Sequence, residues 1–96
     1  MDYRLFFTQR ALNDLSEIVA HIAEDDDDAA NRFGNALLDH VDLLSRFRRM
    51  GNSVRKRSRV RKLIHGPIVA YYQIHVEQRL IEVLHFRHGS RKPPRF

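Results

Sequence analysis

The sequence predicts an α+β domain in which a strand and a two-helix antiparallel hairpin precede a three-strand antiparallel meander. Three features carry that prediction. Apolar residues recur at spacings of three and four along two stretches between residues 8 and 47. A run of acidic residues, "EDDDD", separates the two stretches. From Val60 onward the helical period gives way to short β-branched and aromatic runs broken by turn residues.

The elements follow in order. "YRLFF" (residues 3–7) is aromatic and apolar, as a first strand should be. Thr8 then supplies a hydroxyl for a helix N-cap. Leu12, Leu15, Val19 and Ile22 form one apolar stripe, and Asn13, Asp14, Ser16 and Glu17 fall on the outer side. Consecutive aspartates repel one another and favour caps over helix interiors, so Glu24–Asp28 is read as the turn. One of Asp26, Asp27 and Asp28 caps the second helix and the others favour its positive end. Adjacent carboxylates on such a turn seldom converge on one ion, and no metal site is expected there.

The second helix carries Ala30, Phe33, Leu37, Val41, Leu44 and Phe47 on one face. Gly34 lies inside it and costs about 1 kcal/mol relative to alanine, which is easiest to explain if another backbone packs closely at that point. "RFRRMGNS" closes the helix, with bases in its last turn and Gly51 and Asn52 as stop signals. "VRKLIH" is read as a polar edge strand, Gly66-Pro67 as a turn and "IVAYYQIHV" as the second strand of the meander. "EQ" is the next turn and "RLIEVLHF" the last strand, the last two strands being apolar enough to be covered on both faces.

Ninety-six residues make one domain, 1–96, with one modest core and no cleft between domains. Its parts are an acidic helical hairpin (8–47), a basic loop and sheet (48–88) and a basic tail (89–96). The chain has no cysteine, which removes disulfides, thiol nucleophiles and cysteine zinc sites. No stretch is apolar enough for a signal peptide or a bilayer span, and the acidic helix faces do not suit anionic lipid. A soluble cytoplasmic protein without membrane contact is the expectation.

Charge is distributed unevenly. Residues 1–45 hold ten acids and three bases, whereas residues 46–96 hold fourteen bases and only Glu77 and Glu82 as acids. The result is a dipolar molecule whose basic side attracts nucleic acid or an acidic protein segment. Nine of the seventeen Lys and Arg lie between Arg46 and Lys62, more than protection of a sheet edge requires. Arg55, Lys56, Arg57, Arg59, Arg61 and Lys62, with Arg87 and Arg91, are therefore the candidate partner-binding residues. No aromatic residue interrupts the run from Arg48 to Lys62, so base stacking there is not expected.

Fewer residues suit catalysis. His85 and His88 lie three apart on a strand and point to opposite faces, which makes joint metal chelation awkward. His88 beside Arg87 and Arg91 suits acid–base work on a phosphate, and it equally suits a hydrogen-bonded strand end. Tyr71 and Tyr72 are neighbours, so one faces the helices and the other the opposite surface. No phosphate loop, nucleophile elbow or HExxH motif occurs, and no cofactor is expected.

Over nearly its whole length the chain resembles the RelE/ParE superfamily of toxins from bacterial type II toxin–antitoxin systems. The resemblance lies in "TQRALNDLSEIVAHIAEDD", "FRRMGNSVR", "VRKLIHGPIVAYYQI" and "IEVLHFRHGSR". Within the superfamily it looks most like the ParE-like branch, that of plasmid stabilisation proteins. The resemblance implies the RelE/ParE-like two-layer fold, a first strand paired with the last, and a growth-arresting toxin held by a cognate antitoxin in a higher-order complex. It implies one of two activities. ParE-like members poison DNA gyrase, whereas RelE-like members cut mRNA in the ribosome with basic residues and a tyrosine or histidine near the C-terminus. By position, Arg61, Arg87, His88 and Tyr71 or Tyr72 would be the RNase candidates. No tyrosine follows Tyr72, and gyrase inhibition is accordingly the favoured expectation, with RNA cleavage the alternative. A family member that only binds its antitoxin is the third reading.

Overall fold

A computed structural model describes residues 2–89, apart from the side chain of Ser58. Strand β1 (Arg4–Phe7) leads into helix α1 (Gln9–Ala23) and helix α2 (Asp27–Asp42). A 3₁₀ turn (Leu43–Ser45) follows, and then strands β2 (Asn52–Val54), β3 (Arg57–His65), β4 (Ile68–His75) and β5 (Leu80–His88). The five strands form one sheet in the order β1-β5-β4-β3-β2. β1 runs parallel to β5, with Arg4 opposite Leu80 and Phe7 opposite Val83; the other pairings are antiparallel. The predicted order and the pairing of first strand with last are both present.

Local chemistry explains the helix ends. The Thr8 hydroxyl accepts from Ala11 N–H at 3.0 Å and donates to the Leu84 carbonyl at 2.8 Å, so one side chain caps α1 and ties it to β5. Asp26 caps α2 by accepting from Ala29 N–H, and Asp27 and Asp28 occupy its first turn. Gly34 sits where an added Cβ would lie 3.4 Å from Val19, so its neighbour is a side chain of α1 and not the closely packed backbone expected.

Both helices lie on one face of the sheet. Between them are buried Ala11, Leu37, Val41 and Leu44 from the helical segment and Leu63, Ile68, Ala70, Tyr72, Ile81, Val83 and Phe86 from the strands. Several expectations need correction. The buried side of α1 is centred on Ala11, Leu15 and Ile18, which leaves Leu12 46% exposed. Asp14, expected on the outer side, turns towards β5. Helix α2 stops at Asp42, and Phe47, beyond the 3₁₀ turn, is 58% exposed.

The basic stretch also differs from expectation. It is a hairpin, with β2 and β3 joined at Arg55-Lys56 and Lys56 in the left-handed region at φ 70°. Strand β2 therefore forms the edge and β3 lies one strand inside it. Among the described residues no second layer covers the helix-free face of the sheet. It holds a small cluster of Val60, Val69 and Tyr71, flanked by Val54 and Leu84. A bulge at the β4–β5 pairing, where Tyr71 faces His85 and Tyr72 faces Val83, leaves Leu84 unpaired.

Candidate functional site

Two regions gather the residues expected to act. The first is the β2–β3 hairpin. Arg55, Lys56, Arg57 and Arg59 are exposed along it, whereas Arg61 and Lys62 are half-buried. Arg61 turns back over the preceding loop. Its guanidinium donates to the Arg49 carbonyl at 3.0 Å, to the Gly51 carbonyl and to Ser53 Oγ at 3.1 Å, and its Nε is buried without an acceptor.

Tyr72 works on the same loop. It is fully buried, donates to the Arg48 carbonyl at 2.8 Å and accepts from Gly51 N–H at 3.1 Å. Gly51 is required here: an added Cβ would lie 2.8 Å from the Tyr72 hydroxyl and closer still to the Lys62 carbonyl. Arg61 and Tyr72 together hold residues 48–53 against the sheet. Arg48 itself lies over the Tyr3 ring at 4.6 Å.

The second region is a groove of about 770 Å³ between α1 and the far end of β5. β1 pairs only with residues Leu80–Val83, so on the side away from β4 the rest of β5 has no strand beside it among the described residues. Asp14 fills that place by accepting from Phe86 N–H at 3.1 Å. The same Asp14 oxygen meets Nδ1 of His85, a residue only 8% exposed. Facing a carboxylate, Nδ1 takes the donor role, which leaves Nε2 as an acceptor turned to Arg10 at 3.4 Å. The His85 ring stacks on Tyr71 with centroids 5.9 Å apart, and Arg87 Nε donates to the Tyr71 hydroxyl at 2.7 Å.

Asp14, His85, Arg10, Tyr71 and Arg87 thus form one linked cluster at the rim. The groove floor is apolar, with Ile18, Ile22, Phe33, Ile68 and Phe86. Such a groove suits an apolar segment carrying an acidic group, with the guanidinium of Arg10 or Arg87 meeting the acid. An imidazole whose tautomer is fixed by a carboxylate can also take up a proton from a group placed beside Nε2.

Of the residues singled out from the sequence, the structure brings Tyr71 and Arg87 into this cluster and places His88 at the groove. Arg61 and Tyr72 lie across the sheet, committed to the loop, and Arg91 is outside the described residues. His85 and His88 occupy opposite faces by register, as expected, although both border the groove. Sequence reasoning missed Arg10 and Asp14. Their signal was present in the helical period, since Asp14 lies one turn from both Ala11 and Ile18 on the buried side. Among the described residues, no group of three or more His, Asp or Glu side chains converges to hold a metal, and no helix is long and apolar enough to cross a membrane.

This arrangement of hairpin and sheet is the fold of toxins from bacterial toxin–antitoxin pairs. A chain of the chromosomal ParDE system of P. aeruginosa superposes with a TM-score of 0.76 at 20% identity, covering 90% of this chain and 95% of that one. A chain of the RelBE2 toxin–antitoxin complex of Mycobacterium tuberculosis gives 0.72 at 22% identity, with 92% of each covered. The isolated RelE toxin of E. coli gives 0.60 at 20% identity, covering 94% of this chain and 87% of that one. No curated protein matches the chain. The sequence itself fixes the family: the model for the ParE toxin of type II toxin–antitoxin systems, parDE, matches residues 5–93, and the chain belongs to that family.

Proposed function

We propose that this toxin is neutralised by a cognate antitoxin and, once released, inhibits DNA gyrase by binding rather than by cutting nucleic acid. The observation that carries this reading is the commitment of Arg61 and Tyr72 to the scaffold. Both were candidates for RNA cleavage, and the side-chain hydrogen bonds of both run to the 48–53 loop. The exposed bases of the β2–β3 hairpin, Arg55, Lys56, Arg57 and Arg59, are then the surface offered to the target, with Lys62 beside them. The antitoxin takes the groove, its apolar side on Phe33 and Ile68 and an acidic group at Arg10 or Arg87.

One observation favours ribosome-dependent RNA cleavage as a second reading. His85, oriented by Asp14 and flanked by Arg10, has the parts of an acid–base site for phosphate chemistry. Pulse labelling just after induction separates the two. Gyrase inhibition predicts an early fall in thymidine incorporation with protein synthesis intact. An early fall in amino-acid incorporation alone would transfer the function to RNA, with His85→Gln as the first variant to lose it.

A further inference from the structure

We propose that His40 and His65 form a two-nitrogen binding site for a late-transition-metal dication, nickel or copper, where α2 meets β3. The two histidines are 25 residues apart in sequence, and the fold places their Nδ1 atoms 3.0 Å from each other. In the metal-free protein one Nδ1 carries a proton and donates it to the lone pair of the other. Transfer of that proton through solvent to Nε2 of the same ring, the other neutral tautomer, leaves both Nδ1 lone pairs facing the one gap.

The spacing selects a geometry. Two metal–imidazole bonds of about 2.05 Å, closed on nitrogens this far apart, subtend about 94° at the metal. That is close to the right angle between neighbouring ligands of a square-planar or octahedral ion and narrower than a tetrahedral zinc site requires. The rings are tilted by 54° to one another, so their edges do not collide around an ion.

The pair is held in place. The ring of Phe33, seven residues before His40 on α2, meets His65 edge-on with centroids 5.6 Å apart and 71° between planes. Partial burial, reinforced by His40, holds His65 below the ordinary histidine value of 6.5, so its ring is neutral at pH 7 as a ligand must be. Both side chains are half-exposed, which leaves solvent to complete the coordination, and the described residues offer no third His, Asp or Glu. The ion would pin α2 to β3 next to the groove that Phe33 lines.

The test uses the tag-free chain and Ni²⁺ in a non-chelating buffer. Calorimetry should give one saturable site in the wild type. Binding should weaken at least tenfold in both His40→Gln and His65→Gln and be unchanged in His21→Gln, whose histidine is exposed at the end of α1. Because only the folded chain brings the two rings together, Ni²⁺ should also raise the wild-type Tm. NMR of the wild type needs no variant to fold: paramagnetic broadening should appear first on the ring protons of His40 and His65. Absence of binding at millimolar Ni²⁺, binding by either glutamine variant as tight as that of the wild type, or broadening centred on another histidine would each overturn the proposal.

Discussion

The sheet ends short on both sides, and the two ends are closed by opposite charges. Beyond Val83 no strand among the described residues pairs with the outer edge of β5, and Asp14 accepts the Phe86 N–H that a strand would have taken. At the other end β2 is three residues long, and Arg61 donates to the Arg49 and Gly51 carbonyls of the loop leading into it. The acid comes from the acidic half of the chain and the base from the basic half. A charge inside a biased stretch can thus be backbone support while its neighbours meet the solvent, and composition alone does not separate the two.

The comparison can be broken most directly at Gly51. Gly51→Ala forces a methyl against the Lys62 carbonyl and the Tyr72 hydroxyl, and urea unfolding should show a loss of about 3 kcal/mol. Little change in the urea midpoint would mean that the loop is held less tightly than its hydrogen bonds imply. Asp14→Ala leaves the Phe86 N–H and the His85 ring without their acceptor and should cost about 2 kcal/mol, with faster amide exchange at Phe86. Unaltered exchange there would show that Asp14 does not stand in for the absent strand.

Arg61→Ala should cost about 1 kcal/mol, since its contacts are partly exposed, and loosen the β2–β3 hairpin while leaving the groove as it is. Arg55→Ala with Lys56→Ala sharpens the contrast, because exposed charges in a turn should move stability by less than about 0.5 kcal/mol. If growth arrest survives that pair of substitutions in a chain that still folds, the hairpin is not the target surface. The smallest effect concerns pH in chelator-treated protein. His65 has its folded-state value lowered, by burial first and His40 second, so below pH 6.5 the unfolded chain takes up the proton more readily and stability falls. His65→Gln should flatten that part of the pH–stability curve.

Much of the fold was legible because its signals are local. Thr8 caps as its position predicted and Asp26 is the one of the three candidate aspartates that caps α2, Gly66 turns the chain at φ 56°, and Tyr71 and Tyr72 divide between the two faces as strand alternation requires. What escaped was set by contacts distant in sequence. Asp14 reads as an outward polar residue until β5, more than seventy residues later, supplies an N–H and an imidazole. The bases of residues 54–59 read as a loop because charge masked a hairpin whose turn needs Lys56 at positive φ, a conformation that no glycine or asparagine announced. His40 and His65 carry no motif, and only the packing of α2 on β3 joins them.

The parallel pairing of β1 with β5 sets a clock on biosynthesis. Arg4–Phe7 emerge from the ribosome early, yet their partners are residues 80–83, so the hairpin spends most of translation without its last support. At about 5–20 residues per second that delay lasts several seconds. A chain stalled before residue 80 should be cleaved rapidly by protease, and one extended past residue 88 should resist it. The groove beside β5 therefore cannot exist until the final strand is in place, however early α1 has formed.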